Sequence, residues 1–409
     1  MTKRTVLTLG LLALAGAGVA GLGARLGWLR RIGAPGSPER VIDDQCHPLP
    51  KADRQNCYLT GLERRLADSG VAAAMGTLAA LAREDKTFEK EGHIYAHGVG
   101  IKGYLLTHNV QGTFDQCPTG FASGCSHGVI QAYLESRDSL TDGALNTLCQ
   151  PYRGSGATQW QLFQCVHGTG HGLVMMYQGD LPHALVSCDR LSGAWDRDSC
   201  YGGAFMENIM RTTSPHHPAS ELAASHHHMQ AFKALDSTDL LYPCSIVEDR
   251  YHRACYEIQT AAIFHFTKGK VEPAAAACDG APAVMRPVCY TSLGRDISAK
   301  ALRNPAKAVR LCEKTGETNR PWCFFGVAKA LVDWDARPSA GLAFCQEVGN
   351  ARGGPLCFRG VGEQVYALRA SVPDRERECK AAGTAEAISS CRWGAMIPGV
   401  TGPATAAQP

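Results

Sequence analysis

The spacing of the cysteines constrains this chain more than any other feature. The 409 residues include eighteen cysteines, and the second cysteines of the last five pairs follow one another at intervals of 34 residues. A period of this length fits two short helices and their turns, and it is typical of helical repeat proteins. The sequence therefore predicts an all-α fold of disulfide-stapled α-hairpin repeats of about 34 residues, arranged as a solenoid or as a curled α/α array.

One late repeat indicates where the cysteines lie in each hairpin. Residues 305–311 are alanine-rich and predict a first helix that ends near Cys312, and residues 314–321 have turn chemistry. An apolar second helix then opens at Cys323. The repeat favours bonds between such neighbours all along the chain, although the sequence does not exclude another connectivity. The favoured pairs are Cys46–Cys57, Cys117–Cys125, Cys149–Cys165, Cys188–Cys200, Cys244–Cys255, Cys278–Cys289, Cys312–Cys323, Cys345–Cys357 and Cys379–Cys391.

Cysteine usage and the N-terminus both indicate export. No CxxC pair occurs, and partners 8 to 16 residues apart suit disulfides in an oxidising compartment. Lys3 and Arg4 precede an uncharged apolar run that ends at Ala24, so residues 1–28 are either a cleaved signal peptide or a membrane anchor. We expect a periplasmic or extracellular protein, secreted or attached to the membrane by this segment. A net charge of +3 argues against nucleic acid as a partner.

Composition divides the rest of the chain into stretches of different character. Glycine and proline mark a linker before the repeats, and the C-terminal residues have the composition of a disordered tail. A histidine-rich insertion interrupts the earlier repeats, and it is either a metal-scavenging loop or a solvated polar loop. Its histidines are His216, His217, His226, His227 and His228. The predicted order is a linker at 29–44, histidine-bearing repeats at 45–243 with the insertion at 212–230, regular repeats at 244–397 and the tail at 398–409.

Two further residue types recur with the repeat. Glycine usually lies three residues after the second cysteine, although glycine costs about 1 kcal/mol relative to alanine inside a helix. We therefore expect neighbouring second helices to approach one another closely. The residue directly after that cysteine is often aromatic, which we interpret as core packing between stacked repeats. The glycines are Gly128, Gly168, Gly203, Gly326, Gly360 and Gly394, and the aromatic residues are Tyr58, Tyr201, Tyr256, Tyr290, Phe324 and Phe358.

The repeat unit resembles a known architecture. The 34-residue period and units such as Cys312…Cys323-Phe324-Phe325-Gly326 resemble the secreted, cysteine-bridged α-hairpin repeats of the Sel1-like and tetratricopeptide type. The resemblance covers residues 46–395 and concerns architecture. It implies a groove that binds a protein or a peptide, and it supplies no catalytic residue.

Histidine–glycine units occur in the first repeats only. The stretch from Cys165 to Gly172 places His167 and His171 four residues apart, and His127 and His97 take the repeat position of His167 in the preceding units. His93 in turn precedes His97 by four residues, so each pair lies on one face of a helix. Such pairs can bind a transition metal through imidazole nitrogens. The predicted metal ligands are His93, His97, His127, His167 and His171.

The arrangement of these histidines has alternatives. Either the first repeats curl so that five imidazoles converge on one point, or two sites share His127. We expect the positive helix starts to favour neutral histidine. The competing interpretation is that the histidines cap or pack at glycine-rich helix starts. On the next helix, Met206 and Glu207 either line the same cavity or are a core methionine and a solvated glutamate, and we favour the second interpretation.

The chemistry predicted for this cluster is that of a transition metal. Imidazole ligands suit Cu, Fe or Zn without distinguishing among them. The absence of a CxxCH motif argues against covalent haem and leaves bis-histidine haem b as an alternative. No sequence motif of an acyl or phosphoryl transfer enzyme occurs, so the catalytic residues are not assigned.

Two functions from different classes follow. One is an exported metalloprotein, potentially a metal-dependent oxidoreductase. The other is a non-catalytic scaffold that binds a protein or peptide. The confinement of the histidine–glycine units to the first repeats favours the metalloprotein, because a scaffold has no need of that asymmetry.

Overall fold

A computed structural model describes residues 34–154, 157–213, 232–349 and 353–400 of the chain. All the regular elements of these residues are helices. The prediction of an all-α chain of disulfide-stapled helical repeats is therefore confirmed. The chain divides into two compact units, residues 1–92 and residues 93–409.

The described part of the first unit holds one disulfide-linked hairpin and two further helices. The bond between Cys46 and Cys57 joins the first two helices, and the Tyr58 hydroxyl donates to Asp43 Oδ1 at 2.6 Å. The linker predicted at 29–44 differs from the structure, because its last residues are already helical. The helices are α1 (Pro38–Cys46), α2 (Lys51–Ser69), α3 (Val71–Glu84) and α4 (Lys86–Lys90).

The second unit is an array of hairpins, each with a shorter first helix and a longer second helix in most repeats. The second helices are α5 (Gly92–Thr107), α7 (Gly124–Glu135), α9 (Gln159–Met176), α11 (Ala194–Thr213), α12 (Asp249–Tyr256) with α13 (Thr260–Phe266), α15 (Arg286–Lys300), α17 (Arg320–Asp335), α19 (Gly354–Leu368) and α21 (Ala385–Gly394). The first helices are α6 (Val110–Phe114), α8 (Asp142–Thr147), α10 (Leu181–Asp189), α14 (Val271–Asp279), α16 (Pro305–Cys312), α18 (Pro338–Val348) and α20 (Val372–Lys380). Short 3-10 turns occupy Phe121–Ser123, Gln150–Tyr152 and Ala283–Met285.

Disulfides close the hairpins between neighbouring cysteines, as the repeat favours. The paired Cα atoms lie 5.5 to 5.8 Å apart, and no cysteine of the described residues is free. Each bond links the residues before a turn to the second helix beyond it. In the chain-entropy model a closed loop of this length adds about 3 kcal/mol of stability. Nine such bonds indicate a protein of an oxidising compartment.

Glycines let the second helices pack backbone to backbone, which confirms the predicted close approach. A Cβ at Gly203 on α11 would lie 1.9 Å from the backbone oxygen of His167 on α9. A Cβ at Gly170 on α9 would in turn lie 2.0 Å from the backbone oxygen of Cys200. No side chain fits in such a space, so these positions require glycine. The same reciprocal contact joins α5 to α7, α15 to α17 and α19 to α21.

The array of the second unit curls back on itself. Helix α9 contacts α19, and the 3-10 turn before α7 contacts α17. The Phe121 ring of that turn lies 6.1 Å from the Trp334 ring of α17. Of the two predicted arrangements, the curled α/α array is therefore the one observed. Its apolar core runs from Ile101 to Ile397. A domain boundary near residue 243 stays a prediction.

Several sequence predictions fall on other residues. The signal or anchor segment at 1–28 lies outside the described residues, as do residues 214–231 with the five insertion histidines and residues 401–409 of the tail. Among the described helices, none combines the length and the apolar character needed to cross a bilayer.

The tyrosine after the second cysteine makes a polar link as well as filling the core. The Tyr290 hydroxyl donates to Asp279 Oδ1 at 2.9 Å, and the Tyr201 hydroxyl donates to Asp189 Oδ1 at 2.5 Å. Each aspartate directly follows the first cysteine of its pair. The interpretation of these residues as core packing alone was therefore incomplete.

We expect Tyr290→Phe to lower the free energy of unfolding by about 1 kcal/mol, because the substitution keeps the ring and removes the hydrogen bonds of the hydroxyl to Asp279 and to the Ala275 backbone oxygen. Denaturant unfolding measures the change. The control is Tyr366→Phe, at a tyrosine that is 40% exposed, which should change stability little. Equal effects of the two substitutions would contradict a role for the tyrosine–aspartate link.

Candidate metal centre

The five predicted histidines lie in one continuous cluster of rings. His93, His97 and His127 form one triangle, with ring centroids 5.3, 5.8 and 5.9 Å apart. His127, His167 and His171 form a second triangle, with centroids 5.1 to 5.2 Å apart. The rings of His97 and His171 are 5.6 Å apart and link the two triangles. The prediction of a histidine cluster is thus confirmed.

Three second helices supply these side chains. Helix α5 carries His93 and His97, α7 carries His127, and α9 carries His167 and His171. Packed helices normally lie about 8–10 Å apart, so imidazoles from the first and third would be far from one another. Glycine shortens the distance between α5 and α7, because a Cβ at Gly128 would lie 2.1 Å from the backbone oxygen of His97.

A subset of the cluster has the spacing of a metal site. His93, His97 and His127 each offer a ring nitrogen within 4.8 Å of the others. His97 and His127 are buried, at 0% and 3% exposure, whereas His93 is half-buried. His167 and His171 are not part of this group of three. Five imidazoles therefore meet as rings, but only three of them have ring nitrogens that all lie within 4.8 Å of one another.

Hydrogen bonds fix the orientation of the first histidines. His93 Nδ1 lies 2.8 Å from the Phe121 backbone oxygen, and His127 Nε2 lies 2.6 Å from Gln164 Oε1. Both partners only accept, so each of these ring nitrogens must carry the hydrogen. The lone pair of His127 is therefore on Nδ1, which is buried and has no hydrogen-bond partner. Such anchoring of one nitrogen is characteristic of metal-binding histidines.

The two histidines of α9 are anchored by α11. His171 Nδ1 lies 2.8 Å from Glu207 Oε2, and the side chains are 1% and 0% exposed. His167 donates a hydrogen bond to the backbone carbonyl of Ser199. His171 Nε2 is buried and has no hydrogen-bond partner. A carboxylate on one ring nitrogen raises the basicity of the other, as in carboxylate–histidine–metal arrangements.

Burial keeps imidazoles of this cluster neutral. Burial, with the neighbouring His171 and His167, holds the pKa of His127 well below its usual value. Burial, and then His171, also holds the pKa of His167 well below its usual value. The predicted effect of helix starts does not apply to α9, because His167 lies eight residues after Gln159, where α9 begins. Neutral imidazole is the form that binds metal.

The turn before α7 is held in an unusual backbone conformation. Phe121, Ala122 and Ser123 have φ angles of 57°, 49° and 56°, which L side chains seldom adopt in succession. This turn places the Phe121 carbonyl on His93. Strain of this kind collects at functional sites, where the surrounding structure enforces it. Here the disulfide between Cys117 and Cys125 closes the loop.

Sequence reasoning missed the anchoring residues. Glu207 was predicted to be solvated, and that prediction was wrong, because Glu207 is fully buried against His171. A signal for it exists in the helix register. Gly203 packs on the His167 backbone, so one turn further along both helices Glu207 faces His171. Gln164 also bonds to a histidine of the preceding repeat, and no feature of the sequence marks that contact.

The fold and the cluster define a class of protein: an all-α, disulfide-stapled helical repeat protein with a buried multi-histidine centre. Comparisons with protein-family models, with curated proteins and with solved structures found no match to this chain.

We expect Gln164→Leu to weaken metal binding at the three-histidine group by about 10- to 100-fold, because it removes the acceptor that orients His127. Isothermal titration of the protein with Zn(II) measures the affinity. Gln116→Leu is the control, since Gln116 is exposed and its side chain donates to the Gly112 backbone oxygen of the neighbouring α6. An unchanged affinity in Gln164→Leu would show that Gln164 does not position a ligand.

Proposed function

We propose that this chain is an exported metalloprotein that binds one transition-metal ion at His93, His97 and His127. The observation that carries the proposal is the approach of three ring nitrogens to within 4.8 Å of one another. A buried polar nitrogen without a partner costs about 1–3 kcal/mol, so His127 Nδ1 has a reason to bind an ion.

The three nitrogen donors limit which ion can bind, and they leave a coordination position for a further ligand. Imidazole nitrogens suit Cu, Zn and Fe, and hard cations such as Mg²⁺ prefer oxygen. Three protein ligands leave a coordination position for water or a substrate, as in catalytic rather than structural zinc sites. His93 is the half-buried member of the group, which makes its side the natural approach for a small molecule.

The finer part of the proposal is redox activity in the cell envelope. In a redox reaction, Cu or Fe at this group would gain and lose the electron. The cysteines of the described residues are all paired, so no free thiol among them could take that role. Nine disulfides support an oxidising compartment, and a signal or anchor at the N-terminus would deliver the chain there. Attachment to the membrane and a protein or peptide partner on the repeats stay predictions.

The test starts from full-length protein purified after export with its disulfides intact. It is loaded in separate samples with Cu(II), Fe(II) and Zn(II), dialysed, and analysed for bound metal. We expect wild-type protein to retain at least one of the three metals, and His93→Gln/His97→Gln to lose an equivalent. The control is His265→Gln, at an exposed histidine. A parallel set of the same proteins has glutamine in place of the five insertion histidines, so that these histidines bind no metal.

Two results would contradict the proposal. Wild-type protein that retains none of the three metals is not a metalloprotein of this kind. Retention of an unchanged amount by His93→Gln/His97→Gln places the ion elsewhere. Redox activity is tested separately, by reduction of the copper-loaded protein with ascorbate and its reoxidation by air. If the bound copper does not change oxidation state, the redox part fails and the binding part stands.

A further inference from the structure

We infer that His167 and His171 bind a second metal ion beside the three-histidine group, so that the centre holds two ions. This inference rests on the proposed function and adds a site to it.

The first support is the geometry of the pair on α9. His167 and His171 are four residues apart, and their rings lie on one face of the helix with centroids 5.1 Å apart. Such a pair can chelate one ion through two imidazoles. Neither histidine belongs to the group of three nitrogens described above.

The second support is that a hydrogen bond to one ring nitrogen orients each of these histidines. Glu207 accepts from His171 Nδ1, and Ser199 accepts from His167 through its backbone carbonyl. His171 is 1% exposed, and its Nε2 has no hydrogen-bond partner. A histidine placed only for packing would have this nitrogen bonded or in contact with water. The Glu207 carboxylate also supplies negative charge beside the position of a cation.

The third support is the division of ligands between two ions. Gln164 occupies Nε2 of His127, so His127 has a single lone pair, on Nδ1, and can bind one ion. One ion at His93, His97 and His127 therefore leaves the α9 pair unused. The His171 ring lies 5.2 Å from the His127 ring and 5.6 Å from the His97 ring, so the second ion would be close to the first. Water or hydroxide would complete its coordination and can bridge two such ions.

The ordinary explanation of the His171–Glu207 contact is a buried ion pair with protonated His171. That explanation requires no metal, and it predicts that metal content is the same with and without the α9 pair. The two accounts therefore differ in stoichiometry.

The test uses full-length, disulfide-intact protein with glutamine at the five insertion histidines, titrated with Cu(II). We expect two Cu(II) per chain in the parent protein. We also expect an electron paramagnetic resonance signal weaker than the copper content, because two neighbouring Cu(II) ions couple magnetically. His167→Gln/His171→Gln should bind one Cu(II) with a signal of full intensity. Glutamine keeps the volume and can still donate to Glu207 and Ser199.

A second variant keeps the test decisive if His167→Gln/His171→Gln does not fold. Glu207→Gln keeps a hydrogen-bonding partner for His171 and removes the charge, and it should weaken the second ion about 10- to 100-fold while the first ion is unchanged. Circular dichroism establishes that each variant is folded.

Three outcomes overturn the inference in distinguishable ways. One Cu(II) per chain, unchanged in His167→Gln/His171→Gln, leaves the proposed function intact and removes the second ion. A single Cu(II) lost when either histidine pair is replaced indicates one ion shared by the whole cluster. No bound Cu(II), Fe(II) or Zn(II) in the parent protein removes the proposed function together with this inference.

Discussion

Zn(II) at about a thousand times its dissociation constant for the three-histidine group should raise the free energy of unfolding of this protein by about 4 kcal/mol through that group alone, because the ion binds the folded chain and not the unfolded one. Denaturant unfolding with Zn(II) and with a chelator measures the difference. The tryptophans of the described residues, Trp160, Trp195, Trp322, Trp334 and Trp393, all belong to the second unit. Their fluorescence therefore reports on the unit that contains the histidines.

The matched variant for this prediction is His93→Gln/His97→Gln, which should lose the stabilisation that Zn(II) gives through the three-histidine group and keep only that of an ion at His167 and His171. His265→Gln should behave as wild type. Equal stabilisation of the double variant and the wild type would mean that the stabilising ion binds outside the three-histidine group.

Gly203→Ala should lower the free energy of unfolding by about 3 kcal/mol, because the added Cβ would lie 1.9 Å from the backbone oxygen of His167 and the helices must move apart. Displacement of His167 should weaken the second ion as well. Gly143→Ala is the matched control, since the nearest atom to a Cβ there is 3.9 Å away. That substitution should stabilise the protein by about 0.5 kcal/mol through the helix preference for alanine.

Denaturant unfolding measures the free energy of unfolding of both alanine variants. If position 203 requires glycine because a side chain does not fit there, Gly203→Ala lowers this free energy and Gly143→Ala raises it. Destabilisation by both, to a similar degree, would instead indicate that glycine is needed in this fold for backbone freedom.

The sequence predicts the hairpins and the candidate ligands because both are encoded locally. The 34-residue period places Cys312 at the end of one helix and Cys323 within the next, so the disulfide follows from neighbours in the chain. The shared repeat position of His127 and His167 places them on adjacent second helices facing the same side. Neither result depends on how the repeats are oriented over long distances.

What the sequence does not predict arises from contacts between repeats. The curl that brings α9 against α19 is the sum of small rotations at each repeat interface, and no single residue encodes it. Gln164 anchors His127 from another helix, so its role depends on the helix register. The left-handed turn at Phe121–Ser123 lacks glycine at the three positions that would have signalled it.

The position of the disulfides next to the histidines has a consequence for the maturation of the protein. His127 and His167 each lie two residues after a bonded cysteine, Cys125 and Cys165, so the disulfides fix the helices that carry them. A reduced chain would lack that bracing and would present eighteen thiols, which are themselves ligands for Cu(I) and Zn(II). For the proposed metal centre, disulfide formation should therefore precede metal binding.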